Sequence, residues 1–208
     1  MKIVLINGSP KIKGSASGIL LTDLKRCLAG EVEEISLHTG TVPAEARQTM
    51  ENADVWVFVF PLYVDGVPGH LLSCLMELEQ AARPTGEVKV YGIVNCGFFE
   101  GIQTEYALDI LKNWCTRLGL LWGGGIGVGG GGSLAMLPAA EAEHGPKAPI
   151  NKALKALAEN ILHGKAQENT YVSVGMPRFF YQLAAQMGWR KLIRANGGKW
   201  ADLGKRPE

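Results

Sequence analysis

Three runs of the chain, KIVLIN (2–7), VWVFVF (55–60) and KVYGIVN (89–95), are apolar at almost every position and rich in β-branched residues. A strand with one wet face alternates apolar and polar side chains. A run without that alternation reads as a strand covered on both sides, the mark of a parallel sheet between helices. The intervening segments carry the helical repeat such a sheet needs. SGILLTDLKRCLA (17–29) spaces Ile19, Leu20, Leu24 and Leu28 helically and stops at Gly30, and 43–53 reads as a short helix begun by Pro43. GHLLSCLMELEQAA (69–82) is halted by Arg83-Pro84-Thr85-Gly86, and IQTEYALDILKNWCTRL (102–118), the clearest amphipathic stretch, by Gly119. PINKALKALAENIL (149–162) is a further helix.

EVEEISL (31–37) alternates and suits an edge strand, while the first part of LLWGGGIGVGGGG (120–132) reads as a fifth strand running into a loop. Strands alternating with helices imply right-handed crossovers and an α/β three-layer sandwich. Five strands of this kind fit a parallel sheet of the flavodoxin-like order 2-1-3-4-5 with helices on both faces. In such sheets a ligand sits outside the carboxyl ends of the strands, where the winding reverses. The loops after Asn7, Phe60 and Asn95 are therefore the ones to read.

The first loop, INGSPKIKGSASG (6–18), lies between a strand and a helix N-terminus. That terminus presents unpaired N–H groups and a positive dipole end, which suit an anion. Gly8 and Gly14 permit positive φ and close backbone approach, Ser9, Ser15 and Ser17 offer hydroxyl donors, and Lys11 or Lys13 a counter-charge. The bland alternative is a flexible connection with Ser15 or Ser17 as an N-cap. Gly8 and Gly14 are one residue too far apart for a Walker A loop, and Ser15 stands where its lysine would be. The loop holds no GxGxxG and no cysteine nucleophile, and Asp54 begins its strand instead of ending it, which excludes a phospho-acceptor aspartate. A lone phosphate held by hydroxyls and amides suits a mononucleotide that is not hydrolysed.

The second loop, PLYVDGVPG (61–69), is stiffened by Pro61 and Pro68 and bent by Gly66 and Gly69. Tyr63 could cover a planar ring, or Leu62, Tyr63 and Val64 could simply cap the core. In the third loop, NCGFFEG (95–101), Gly97 allows amides close to a ligand and Phe98 and Phe99 offer apolar walls; a turn with buried Phe is the alternative.

INGSPKIKGSAS, FPLYVDGVPGHLL, the Asn-Cys-Gly-Phe turn and WGGGIGVGGGG together resemble NAD(P)H-dependent FMN reductases of the flavodoxin-like superfamily, over residues 2–162. The resemblance implies that Ser9, Lys11, Ser15, Ala16 and Ser17 hold the FMN phosphate. It implies that Pro61, Leu62, Tyr63 and Val64 lie along the isoalloxazine, and that Asn95, Cys96, Gly97 and Phe98 meet its pyrimidine side. It further implies hydride transfer from NAD(P)H to FMN, electrons passed on to a small-molecule acceptor such as a quinone or free flavin, and a homodimer. An FMN-binding electron carrier without NAD(P)H turnover is the alternative. Relatives often carry Arg where Lys11 stands, and the chain lacks the cysteine cluster of the iron–sulfur branch.

GIGVGG (125–130) matches GxGxxG formally but ends a strand, with no acidic residue near the expected position; its glycines fit tight packing or a subunit's approach, with Ser133 and Met136 toward the substrate side. Cys96 has no neighbouring cation to activate it and reads as a small buried residue, and His70 as a surface or capping residue. The four cysteines form no CxxC, so free thiols in a reducing cytoplasm are expected, and no targeting segment is expected before the strand that follows Met1. Net charge is +1, which gives no field for nucleic acid. Its distribution is uneven: residues 1–176 carry 14 Lys/Arg against 18 Asp/Glu, and 177–208 carry 7 against 2. The chain therefore divides into a sheet domain, 1–165, and a basic helical extension, 166–208. The extension is read as a helical pair packed on the sheet domain or on a second subunit, with a membrane-surface helix or a site for an acidic partner the less favoured readings.

Overall fold

A computed structural model describes residues 1–81, 86–137 and 144–204. Six strands form one parallel sheet: β1 (Lys2–Asn7), β2 (Glu31–Ser36), β3 (Val55–Pro61), β4 (Lys89–Asn95), β5 (Leu121–Val128) and β6 (Thr170–Val172), in the order β2-β1-β3-β4-β5-β6. The helices are α1 (Ala16–Cys27), α2 (Ala44–Glu51), α3 (Gly69–Gln80), α4 (Glu105–Leu118), α5 (Ala148–Leu162) and α6 (Arg178–Ala195). The fold is the expected flavodoxin-like sandwich with one strand more than expected. Residues 170–172 add β6 beside Ile126–Val128, so the sheet extends past the expected boundary at 165/166 and the compact unit ends at Gly175. Most of the expected break after α3 (83–86) lies outside the described residues.

Period-two alternation sends neighbouring strand residues to opposite faces. Val4, Ile6, Trp56, Phe58, Phe60, Val90 and Val94 join Met50, Leu71, Leu75, Leu108, Leu111 and Trp114 in one core cluster under α2, α3 and α4. α1 and α5 pack together on the other face, where Leu20, Leu24, Ile150, Leu154, Leu157 and Ile161 are buried. Trp114 stands edge-on to Phe58 (5.8 Å between centroids) and gives its indole N–H to the Leu75 carbonyl at 3.0 Å, which settles the one polar group that ring brings inside.

The glycines of β5 serve packing within the chain. A Cβ at Gly123 would enter the Tyr91 ring, one at Gly125 would meet Leu108, and one at Gly127 would meet Thr104 and Tyr171. Gly124 takes φ +111° where the ladder to β4 slips by a residue, a conformation a side chain rarely adopts. The formal GxGxxG is thus an irregular strand, and a 3-10 turn (Gly131–Met136) follows it where a dinucleotide site would need an α-helix.

On α1, buried Asp23 lies 2.5 Å from the Nζ of buried Lys147, just before α5, and 3.2 Å from Arg26. This charge cluster ties the start of α5 to α1. The second compact unit begins at Met176 and contains α6, no residue of which is buried, and a 3-10 turn at Trp200–Gly204. No disulfide joins the four cysteines, and no helix among the described residues is long and apolar enough to cross a membrane.

Candidate functional site

β1, β3, β4 and β5 all end at one edge of the sheet, and the loops leaving them meet there. The first loop spans residues 8–15 between β1 and α1, and its backbone is held from several sides. The Gly8 N–H donates to the Val59 carbonyl at 2.9 Å. The Ser9 N–H donates to Asn7 Oδ1 at 3.1 Å. His38, following β2, donates Nδ1–H to the Ser9 carbonyl at 2.6 Å, and His70 on α3 donates Nε2–H to the Gly8 carbonyl at 3.1 Å. A carbonyl only accepts, so the hydrogen sits on Nδ1 of His38 and on Nε2 of His70 in this arrangement. Gly8 is required for space: a Cβ there would come 2.7 Å from Leu71. Gly14 is required for shape, at φ +65°.

Ser9, Ser15 and Ser17 are all buried, at 2, 8 and 1 % exposure. Each uses its oxygen as an acceptor. Ser9 Oγ takes the Lys11 N–H (3.2 Å), Ser15 Oγ takes the Gly18 N–H as N-cap of α1 (3.0 Å), and Ser17 Oγ takes the Asn95 Nδ2–H (2.8 Å). A hydroxyl donates one hydrogen bond as well as accepting two. None of the three O–H groups has an acceptor among the described residues. The first N–H groups of α1, those of Ala16 and Ser17, precede any intrahelical acceptor. The N-cap reading and the ligand-cradle reading of this loop are therefore compatible, because capping uses the lone pairs and leaves the protons.

A cavity of about 350 Å³ opens over these donors. Ser9, Lys11, Ser15, Ala16 and Ser17 border it from the first loop, Pro61, Leu62 and Tyr63 from the second, and Asn95, Cys96 and Gly97 from the third. Asn95 joins the three: its Nδ2 donates to Ser17 Oγ and to the Phe60 carbonyl at 3.1 Å, while its backbone carbonyl accepts the Leu62 N–H at 2.7 Å. Gly14 and, from the turn after β5, Gly131, Gly132 and Ala135 complete the wall. Those last three escape a reading that follows side-chain chemistry; their signal is the glycine run beyond a strand ending at the same edge. The turn is pinned there by the Gly131 N–H, 2.8 Å from the Cys96 carbonyl.

Two expected wall residues stand elsewhere. Tyr63 and Gly66 exchange both backbone hydrogen bonds at 3.1 Å and close a two-residue turn whose centre is Val64 (φ +48°) and Asp65 (φ +55°). Positive φ at both central residues makes this a type I′ geometry. Val64 is thereby turned fully into solvent, and the bend comes from Val64 and Asp65, not from Gly66 and Gly69. Phe98 is 53 % exposed and contributes its carbonyl to the Gly130 N–H (2.6 Å), not its ring to the cavity. Lys11 Nζ donates to the Gly14 carbonyl at 3.2 Å, staying within the loop. Ser133 Oγ closes its own turn on the Gly130 carbonyl at 2.7 Å and does not line the cavity.

Cys96 is 4 % exposed, and burial pushes its thiol up to about 11. It stays protonated and unreactive at neutral pH, as the absence of a cation around it predicts. The cavity thus offers hydroxyl and amide donors at one end and apolar and amide surface along its length, and among the described residues that line it there is no carboxylate and no imidazole.

No family model matches the chain, and neither does any curated protein. Solved structures do match. An FMN-dependent NADH-azoreductase from Bacillus anthracis, solved with FMN, is 17% identical, covers 77% of this chain and 99% of its own, and gives a TM-score of 0.53. A WrbA-like flavodoxin from Agrobacterium tumefaciens is 14% identical over 79% and 99% of the two chains, with a TM-score of 0.57. An NAD(P)H:quinone oxidoreductase from Methanothermobacter marburgensis is 16% identical over 76% and 95%, with a TM-score of 0.52. At these identities the likeness shows the flavodoxin-like fold.

Proposed function

We propose that the chain is an FMN-dependent oxidoreductase that draws electrons from NAD(P)H and delivers them to a small-molecule acceptor such as a quinone or free flavin. The observation that carries this reading is the set of three buried serine hydroxyls whose protons have no acceptor among the described residues, gathered at the N-terminus of α1. The cavity opens over these hydroxyls, and a hydrogen bond from such a donor to a charged oxygen is worth about 1.5–3 kcal/mol. A phosphate monoester supplies acceptor oxygens for all three, and the helix dipole favours its charge. Ser9, Ser15 and Ser17 with the amides of Ala16 and Ser17 would hold that phosphate. Pro61, Leu62 and Tyr63 would flank the ring system, and Asn95, Cys96, Gly97 and Gly131 would border its polar edge.

When bound, FMN supplies the chemistry of accepting a hydride from a nicotinamide and releasing electrons onward. The chain's part is to bind, orient and shield, which agrees with a cavity whose described lining holds no carboxylate or imidazole. The support from known structures lies in the same direction, since neighbours of this fold include an FMN-dependent NADH-azoreductase and an NAD(P)H:quinone oxidoreductase. We place the enzyme in the cytoplasm, as a homodimer. Ile102, Tyr106 and Ile110 form an exposed stripe at four-residue spacing, beside the loop that carries Tyr63, and offer a face for the second copy.

Anaerobic rapid mixing of the flavin-loaded protein with NADH and with NADPH tests the reading. Fast bleaching of the yellow absorbance with either donor is expected. Uptake of flavin without bleaching would leave an electron carrier, and failure to take up FMN at micromolar concentration would remove the reading altogether.

A further inference from the structure

α6 is an 18-residue helix without a single buried residue. Such a helix is held by its length and by what it binds, because an isolated helix of this size is marginal in water. Its exposed side chains are nevertheless large and apolar: Phe179, Phe180, Leu183, Met187, Trp189 and Leu192 are all exposed. Phe179, Leu183 and Met187 recur at four-residue spacing on one face, and the same face continues into Arg190 and Arg194 one turn apart. A chain turn at Gly197-Gly198 then returns Lys199 and Trp200 alongside. Trp200 lies under the Arg190 guanidinium, 4.6 Å from carbon to ring centroid. Arg190, Ile193, Arg194, Gly198, Lys199 and Trp200 line a concavity of about 470 Å³.

Arg190, Arg194 and Lys199 make no ion pair with any described residue. Over 176–204 five basic residues face one acidic residue, Asp202. Three unpaired cations around one concavity call for an anion with several oxygens, and phosphate fits guanidinium geometry best. The aromatic and aliphatic chains on the same face call in addition for an apolar phase. A nucleic-acid backbone or a free phosphate provides the first and lacks the second; a leaflet of anionic phospholipid provides both, with headgroup phosphates above an acyl boundary. Trp and Arg are side chains suited to that boundary, polar at the tip and apolar along the stem.

We infer that the C-terminal unit, Met176–Gly204, docks the protein on an anionic phospholipid surface, with Arg190, Arg194 and Lys199 on lipid phosphates and Phe179, Leu183 and Met187 in the interface. This reverses the reading favoured from sequence, in which the extension packs on protein. It stands independently of the flavin reading and places the chain where lipid-soluble acceptors are concentrated.

The test is sedimentation of the full-length protein with mixed phosphatidylcholine/phosphatidylglycerol vesicles and with pure phosphatidylcholine vesicles, at low and high salt. Binding is expected to the mixed vesicles only, weakened by salt. Each basic residue near an anionic leaflet contributes about fivefold, so R190Q/R194Q/K199Q should lower the partition coefficient about a hundredfold. F179S/L183S/M187S should remove the binding that survives high salt. These side chains are exposed, so both variants should keep the wild-type melting temperature and flavin uptake, which separates lost docking from lost folding. Inorganic phosphate at millimolar concentration should not compete; if it does, the concavity is a small-anion site and the inference falls. It also falls if wild type ignores anionic vesicles, or if duplex DNA binds more tightly than they do. Loss of a dimer by light scattering in either variant would assign the face to a second copy and overturn it likewise.

Discussion

Replacing Ser17 by Ala separates the two halves of one hydroxyl. Ser17 Oγ accepts the Asn95 Nδ2–H at 2.8 Å, and its own proton has no acceptor among the described residues. In the apoprotein, S17A removes the first half only. Asn95 keeps its second bond, to the Phe60 carbonyl at 3.1 Å, so the cost is that of one ordinary hydrogen bond, about 1 kcal/mol, or a fall of about 2–4 °C in Tm for a chain of this size. In the proposed FMN complex the same change would also remove a donor to a charged phosphate. Bonds to charged groups are worth about 1.5–3 kcal/mol, which raises Kd about tenfold to a hundredfold. Riboflavin, which lacks the phosphate, should lose almost nothing. The assay is quenching of flavin fluorescence on titrating FMN, and separately riboflavin, into wild-type and S17A apoprotein. Equal losses for the two ligands would mean that Ser17 shapes the ring site instead of holding the phosphate. An unchanged FMN affinity alongside a destabilised apoprotein would mean that the free proton serves no ligand, and the cradle argument fails.

Burial pushes the thiols of Cys74 and Cys96 up to about 11, Cys115 to about 12 and the Tyr91 phenol to about 12, from ordinary values of 9.0 and 10.0. Groups raised on folding stabilise fully below their unfolded values and lose that contribution as pH climbs to their folded values; the urea midpoint should hold steady to about pH 9 and fall progressively above it, with Cys96 unmodified by iodoacetamide at neutral pH. Val64 and Asp65 occupy the left-handed region at φ +48° and +55°, which costs an L-residue about 1–2 kcal/mol. V64N/D65G installs the pair that type I′ turns prefer and should raise the free energy of urea unfolding by about 1–2 kcal/mol. K147M strips the buried Asp23 carboxylate of its 2.5 Å partner and leaves it Arg26 at 3.2 Å. Breaking such a pair from one side costs about 3–5 kcal/mol; thermal unfolding should register the lower end, and D23N/K147M should recover most of it.

The strands most legible in the sequence are those with the least choice. KIVLIN and VWVFVF are buried along nearly their whole length and admit no other reading, whereas β6 is three residues, TYV, at the sheet's edge, each part-exposed or exposed, too short for any period to declare itself. The same contrast runs through the site. Topology alone brings the loops after Asn7, Phe60 and Asn95 to one edge, so the residues at their bases were readable. Val64 was not, because a Val-Asp pair carries none of the Asn-Gly signal of the turn it makes, and the tight Tyr63–Gly66 closure turns it outward. His38 and His70 were not, because the carbonyls they hold lie 29 and 62 residues away in sequence. Most of all, a serine in a sequence offers a donor and two acceptors without distinction. Only the contacts of Ser9, Ser15 and Ser17 with Lys11, Gly18 and Asn95 show which of these are already occupied. What remains is three protons with no acceptor among the described residues, and that remainder, not the residue type, is what the proposed cradle rests on.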